Sequence, residues 1–320
     1  MWVFLSLFLT VTVQAEDFGE IYITAGSSNA NGSYSLETKV QLVVRDPLGR
    51  KIGLDPTAGI QFNDVPGTNY SVESIGDIES GSPGPESIML SIMRAMKGEY
   101  QIKVFCLDDT KYSLTVRTQK SEGLKEGVQA FSSYITSGTT NLYEMSYDPD
   151  PVVTDLPVKK EVGFSDLSGE VRVGAEFRQL GEGKFEQSLL KTVTLAEKLS
   201  AVCEKREADA HKGCEPAVNV LRLFVKRLEL ANKKCDDPAV CDEGPLWEEF
   251  RNKHGKDRDY DEFFKEHDKE GRGNAKDKPK RFVTDEALAI IKGDAEILMG
   301  NLAGEKPGDR KQNKDKPDKS

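Results

Sequence analysis

At 320 residues and a net charge of −10, the chain is long enough for roughly two domains and lacks the basic balance of a nucleic-acid module. Hydrophobic residues make up 37% and charged residues 31%, which allows two modest cores and leaves part of the chain solvated.

The chain opens on what reads as an export signal. Trp2 to Val13 is an uncharged apolar run of about 12 residues, short of the ~20 that a membrane-spanning helix needs. It ends in Val13-Gln14-Ala15, the small-residue pattern of a signal-peptidase site. Positive charge at its start comes from the amino terminus alone, and the competing reading is a buried N-terminal strand. Residues 1–15 are expected to be removed. The mature chain should then start near Glu16, secreted or periplasmic and without a membrane span.

Residues 16–147 read as an antiparallel β-sandwich. Period-two alternation places Val40, Leu42 and Val44 on one face, and repeats at Ile88, Leu90 and Ile92. It returns at Tyr100, Ile102, Val104 and Cys106, and again at Tyr112, Leu114 and Val116. Turn chemistry separates the runs at Asp46-Pro47-Leu48-Gly49, Asp55-Pro56, Pro66-Gly67, Pro83-Gly84-Pro85 and Asp108-Asp109. Most of the acidic excess falls in this half. The aspartates Asp46, Asp55, Asp108 and Asp109 offer the oxygen-rich loops that Ca²⁺ takes. Without a fixed ligand spacing, the preferred reading is that each caps its own turn, and no cofactor is expected.

The run VQLVVRDPLGRKIGLDPTAG (Val40–Gly59), followed by GEYQIKVFCLDDTKYSLTVRT (Gly98–Thr118), resembles a β-sandwich region of exported bacterial proteins. It is also distantly similar to the pre-peptidase C-terminal type of sandwich, an accessory module of secreted hydrolases. Both resemblances imply a fold and supply no catalytic residue.

Residues 148–160 hold Asp148-Pro149-Asp150-Pro151 and Leu156-Pro157, an extended and stiff composition that reads as a linker. Beyond it the period changes to 3.6, and residues 161–302 read as a small helical bundle. Phe164, Leu167 and Val171 begin one stripe. Phe185, Leu189, Val193, Ala196, Leu199 and Cys203 form a second. Ala217, Val218, Leu221, Phe224, Val225 and Leu228 form a third, and Thr284 is a fitting N-cap for a last helix carrying Ala287, Ile290, Ile291, Ala295, Leu298 and Leu302. The fold class is thus α+β in separate domains: an antiparallel sandwich, then a helical bundle with a charged helical insertion.

The segments FEQSLLKTVTLAEKL, GCEPAVNVLRLFVKRL and VTDEALAIIKGDAEILMGNL resemble the FIMAH domain of secreted bacterial proteins. Ser188-Leu189-Leu190-Lys191, Asn219, Leu221, Phe224, Val225, Thr284, Ala287, Ile291, Ala295 and Leu298 stand at matching positions. The connection between Val225 and Thr284 is longer than in that family. The resemblance implies a non-catalytic C-terminal appendage with no active site.

The insertion, 235–282, is highly charged yet carries Trp247, Phe250 and His254, then Tyr260, Phe263, Phe264 and His267, at helical spacing. Trp247, Phe250, Tyr260 and Phe263 are the candidate binding surface, an aromatic platform for a sugar or peptide. The competing and preferred reading is a satellite core, since such stripes face inward. Asp257-Arg258-Asp259-Tyr260-Asp261 lacks the Gly and the Glu that an EF-hand loop requires. His211, His254 and His267 show no zinc spacing with a cysteine pair.

Five cysteines cannot all pair within one chain. Cys106 continues an inward strand face and reads as a buried thiol. Cys203, Cys214, Cys235 and Cys241 allow three connectivities, of which 203–214 with 235–241 is preferred because each pair brackets one turn. Residues 303–320 have no apolar period and are expected to be disordered.

These features predict a secreted, non-enzymatic accessory or interaction protein built from a β-sandwich binding module and a helical bundle, whose partner is an extracellular or periplasmic protein or glycan. The alternatives are a carbohydrate- or surface-adhesion protein using the insertion aromatics or sandwich loops, and a hydrolase whose site carries no recognised motif.

Overall fold

The computed structural model describes residues 19–29, 35–74, 84–120, 126–149, 152–154, 158–159, 161–181, 183–206, 214–232 and 282–304. Residues 1–15, read as an export signal, nearly all of the insertion, and the tail beyond Gly304 lie outside the described residues, while Ala303 and Gly304, read as part of the tail, complete the last helix and its cap.

The chain is a mixed α+β protein with two antiparallel sheets and four helices. One sheet is ordered β5 (Thr68–Ser74), β6 (Glu86–Ala95), β1 (Gly19–Ser28), β8 (Thr110–Lys120), β9 (Glu126–Ile135). The other is ordered β11 (Val152–Thr154), β10 (Thr140–Pro149), β7 (Gly98–Cys106), β2 (Val40–Arg45), β3 (Lys51–Asp55), β4 (Ile60–Asn63), with β12 (Val158–Lys159) also on β10. The alternations read from the sequence become register: Ile23 faces Leu90 and Val116, and Leu42 faces Val104. The inward residues of both sheets form one apolar cluster. It takes Ile21, Ile88 and Leu114 from the first sheet and Val40, Ile102 and Met145 from the second. Each fully buried aliphatic side chain there contributes roughly 1.5–3 kcal/mol relative to exposure.

Part of the stretch read as linker is strand. Pro149 ends β10, and both β11 and β12 pair back onto β10 in antiparallel fashion. The register sets Lys159 directly opposite Tyr143, so its side chain shares that residue's buried side of the ladder.

The helices are α1 (Phe164–Glu176), α2 (Lys184–Arg206), α3 (Glu215–Asn232) and α4 (Asp285–Ala303). Asp166 accepts from the Gly163 amide at 2.8 Å at the start of α1. Thr284 caps α4 by accepting from the Ala287 amide at 3.2 Å, and Gly304 closes it in the left-handed conformation. The four apolar stripes meet in a second cluster that includes Leu167, Val193, Phe224 and Ile291.

That second cluster also takes in Tyr134 of β9. The Tyr134 hydroxyl donates to Gln179, and its ring lies 6.3 Å from that of Phe177. At Gly169 of α1, a Cβ would stand 2.7 Å from the Thr136 methyl, so only glycine lets the helix approach so closely. Lys111 of β8 pairs with Glu286 of α4 at 2.6 Å. Helices and strands are therefore joined by apolar, polar and ionic contacts.

Candidate functional site

Of the cysteines singled out from sequence, Cys203 and Cys214 form a disulfide with Cα atoms 5.7 Å apart, joining the end of α2 to the start of α3. Cys235, Cys241, Trp247, Phe250, Tyr260 and Phe263 lie outside the described residues. Cys106 is a buried free thiol whose Sγ donates to the Asp108 carbonyl at 2.9 Å. Burial pushes its pKa up to about 12.

Asp46 and Asp55 act on their own turns, whereas Asp108 and Asp109 reach residues elsewhere in the chain. Asp46 Oδ1 accepts from the amides of Leu48 and Arg50, and its Oδ2 pairs with the Arg50 guanidinium at 2.6 Å. Asp55 accepts from the amides of Thr57 and Ala58. Asp109 accepts from the Ser137 amide at 2.6 Å, and Asp108 pairs with Lys39 at 3.0 Å.

The densest chemistry lies between sheet and helices, at residues the sequence did not single out. Lys159 of β12, Glu170 of α1 and Asp294 of α4 are 5%, 2% and 7% exposed. Lys159 Nζ donates to Glu170 Oε1 at 3.0 Å and to Asp294 Oδ2. Glu170 Oε2 is buried with no hydrogen-bond partner among the described residues. On the sheet side, the hydroxyls of Tyr112 and Tyr143 share a hydrogen bond, and Asn141 Nδ2 donates to Tyr112 Oη at 2.8 Å.

Burying one ammonium with two carboxylates is costly unless a proton offsets the second negative charge. Burial drives the Glu170 carboxyl well above the ordinary glutamate range, and the adjacent Asp294 charge adds to the rise. Burial alone would depress Lys159, but the charges of Glu170 and Asp294 outweigh it and hold the ammonium above the usual lysine range. Tyr112 and Tyr143 are raised mainly by burial, with Lys159 opposing the rise at Tyr112. The favoured state is thus a protonated Glu170 beside a Lys159–Asp294 ion pair, with apolar residues around it. Leu167 and Val171 flank Glu170 on α1, and Ile291, Ala295 and Leu298 flank Asp294 on α4, all buried.

Two signals in the sequence pointed here. Glu170 stands in the Leu167–Val171 stripe and Asp294 in the Ile291–Ala295–Leu298 stripe, where a charge without a partner would be expelled. Lys159 carried no signal, because only the pairing of β12 with β10 turns it inward.

Outside this centre, α2 and α3 present apolar side chains to solvent. Leu195 and Val202 are 50% and 45% exposed on α2, and Leu223 and Leu230 are 48% and 52% exposed on α3. Leu190 and Leu195 line an open groove along α2 with Gln187, Lys191, Thr194 and Lys198. No helix among the described residues is long and apolar enough to cross a membrane. Comparison with protein-family models, curated proteins and solved structures gives no match.

Proposed function

We propose that this chain is an exported, non-enzymatic accessory or interaction protein in which a β-sandwich is joined to a helical bundle that carries the docking surface. The observation that carries the reading is the exposed apolar pairs Leu195/Val202 and Leu223/Leu230. A spacing of seven residues sets each pair on one helix face, away from the stripe that fills the core. The sandwich reading is supported by the single apolar cluster that draws on both sheets. The Cys203–Cys214 disulfide supports an oxidising compartment, where such bonds persist.

Two measurements test this. The chain should be recovered outside the cytoplasm with its N-terminus near Glu16; Met1 retained on the exported protein would remove the export reading. The purified oxidised protein should co-sediment with the exported-protein fraction or the cell envelope of its source, and a Leu195→Asp/Leu223→Asp variant should lose that association while keeping its helical circular dichroism. Equal association of both proteins would overturn the docking assignment.

A further inference from the structure

We propose that the buried centre is a self-modification site, in which Lys159 Nζ and Asp294 Cγ condense into an intramolecular amide with Glu170 moving the protons. The three groups arrive from three separate elements, β12, α1 and α4, and meet only in the folded chain. Lys159 Nζ touches the Asp294 carboxylate, so the amine is held beside the carbon it would attack, a placement that replaces a bimolecular encounter. Glu170 Oε1 lies 3.0 Å from the same nitrogen.

The step balances without an oxidant or co-reactant. A proton passes from the Lys159 ammonium to the Asp294 carboxylate, giving an amine and a carboxylic acid. The Nζ lone pair forms the N–C bond at Cγ while protonated Glu170 hydrogen-bonds the Asp294 carbonyl oxygen. Glu170 then takes the surplus proton from Nζ and passes one to the departing hydroxyl. The C–O bond breaks, one water leaves, and Glu170 ends as it began.

Burial favours this outcome over a permanent ion pair. The product removes an ammonium and a carboxylate from an apolar site and leaves a neutral amide beside a neutral carboxyl group, with no desolvated charge to compensate. The same burial keeps out the water that would reverse the reaction. The new bond would tie β12 to α4 and enclose α1, α2, α3 and the 235–282 insertion in one covalent loop. A protein cut within the insertion would then remain a single covalent piece after disulfide reduction.

Mass spectrometry of the folded wild-type chain, denatured and reduced, decides the matter. The expected result is a mass one water below that of the sequence after its N-terminus is fixed, with a branched peptide joining Lys159 to Asp294. Asp294→Ala and Lys159→Arg should restore the full mass, and Glu170→Gln should slow linkage by orders of magnitude in a chain whose circular dichroism is unchanged. Separate, unlinked Lys159 and Asp294 peptides from the wild-type chain would overturn the proposal, as would a water loss confined to the Asp294 peptide as a succinimide. A Glu170→Gln chain that links as fast as wild type would overturn the role of Glu170.

Discussion

Breaking the Cys203–Cys214 bond should destabilise the helical region by an amount set by the loop it closes. The two cysteines are 11 residues apart in sequence. For a loop of that size, the chain-entropy relation gives roughly 2.8 kcal/mol at 25 °C. The bond also holds a junction, because the Cys214 amide donates to the Leu302 carbonyl at 2.9 Å and so fastens the start of α3 to the end of α4. With an unfolding entropy of roughly 2.1 cal/mol/K per residue, a chain of 320 residues loses about 1.5 °C per kcal/mol, so a Cys203→Ser/Cys214→Ser variant should melt about 4 °C below the oxidised wild type. Thermal unfolding followed by circular dichroism at the helical minimum measures this, with the reduced wild type as a second comparison. Coincident melting of oxidised wild type and double variant would refute the reasoning. So would a non-reduced digest in which Cys203 is bonded to a partner other than Cys214.

Three further outcomes follow from particular contacts. Cys106, with its pKa pushed up to about 12 by burial, should stay unmodified when the folded protein is treated with a thiol alkylator near pH 8, and react once denatured; rapid native labelling of its peptide would contradict the packing. Phe224 is fully buried in the helical cluster, so Phe224→Ala should cost roughly 3–5 kcal/mol in denaturant unfolding, and a cost under about 1 kcal/mol would show that the bundle core is misplaced. Glu170 keeps its proton in the folded chain at pH values where the unfolded chain, with its ordinary pKa of ~4.3, has lost it. Unfolding free energy should therefore fall as pH rises through that window, by up to about 1.4 kcal/mol per pH unit, and Glu170→Gln should flatten the slope.

Strands with strict alternation were legible because half of their residues are committed to one apolar face. Val40–Val44, Ile88–Ile92, Tyr100–Cys106 and Tyr112–Val116 all lie in the β-region core as their spacing required. By contrast, β1 sets Ile21, Ile23 and Ala25 beside Tyr22 and small residues, and β9 places Ala130 and Phe131, then Tyr134 and Ile135, in adjacent pairs that break the alternation, so neither shows the same contrast in sequence. The helical stripes were legible to within a turn, and Thr284 was recognisable as a cap because its oxygen has a fixed local task. Glu170 and Asp294 each stood out within an apolar stripe, but their meeting with Lys159 was not legible, since they lie 11 and 135 residues from it and the register that turns Lys159 inward depends on β10. Length and proline content identified 148–160 as extended. They say nothing of the ladder it joins, which is set by backbone groups rather than by side chains.

The return of β11 and β12 onto β10 bears on how this protein behaves in a crowded compartment. β10 is ten residues long, and its first flank is taken by β7. Its second flank would otherwise offer a row of backbone donors and acceptors to any passing chain, the usual opening for edge-to-edge aggregation. The protein fills part of that flank with its own next residues, Val152–Thr154 and Val158–Lys159, and anchors the last of them to the side chains of Glu170 and Asp294. A connector stripped of its pairing would leave a long sticky ladder on display, so the same few residues that lead into the helices also close part of this edge against strand addition.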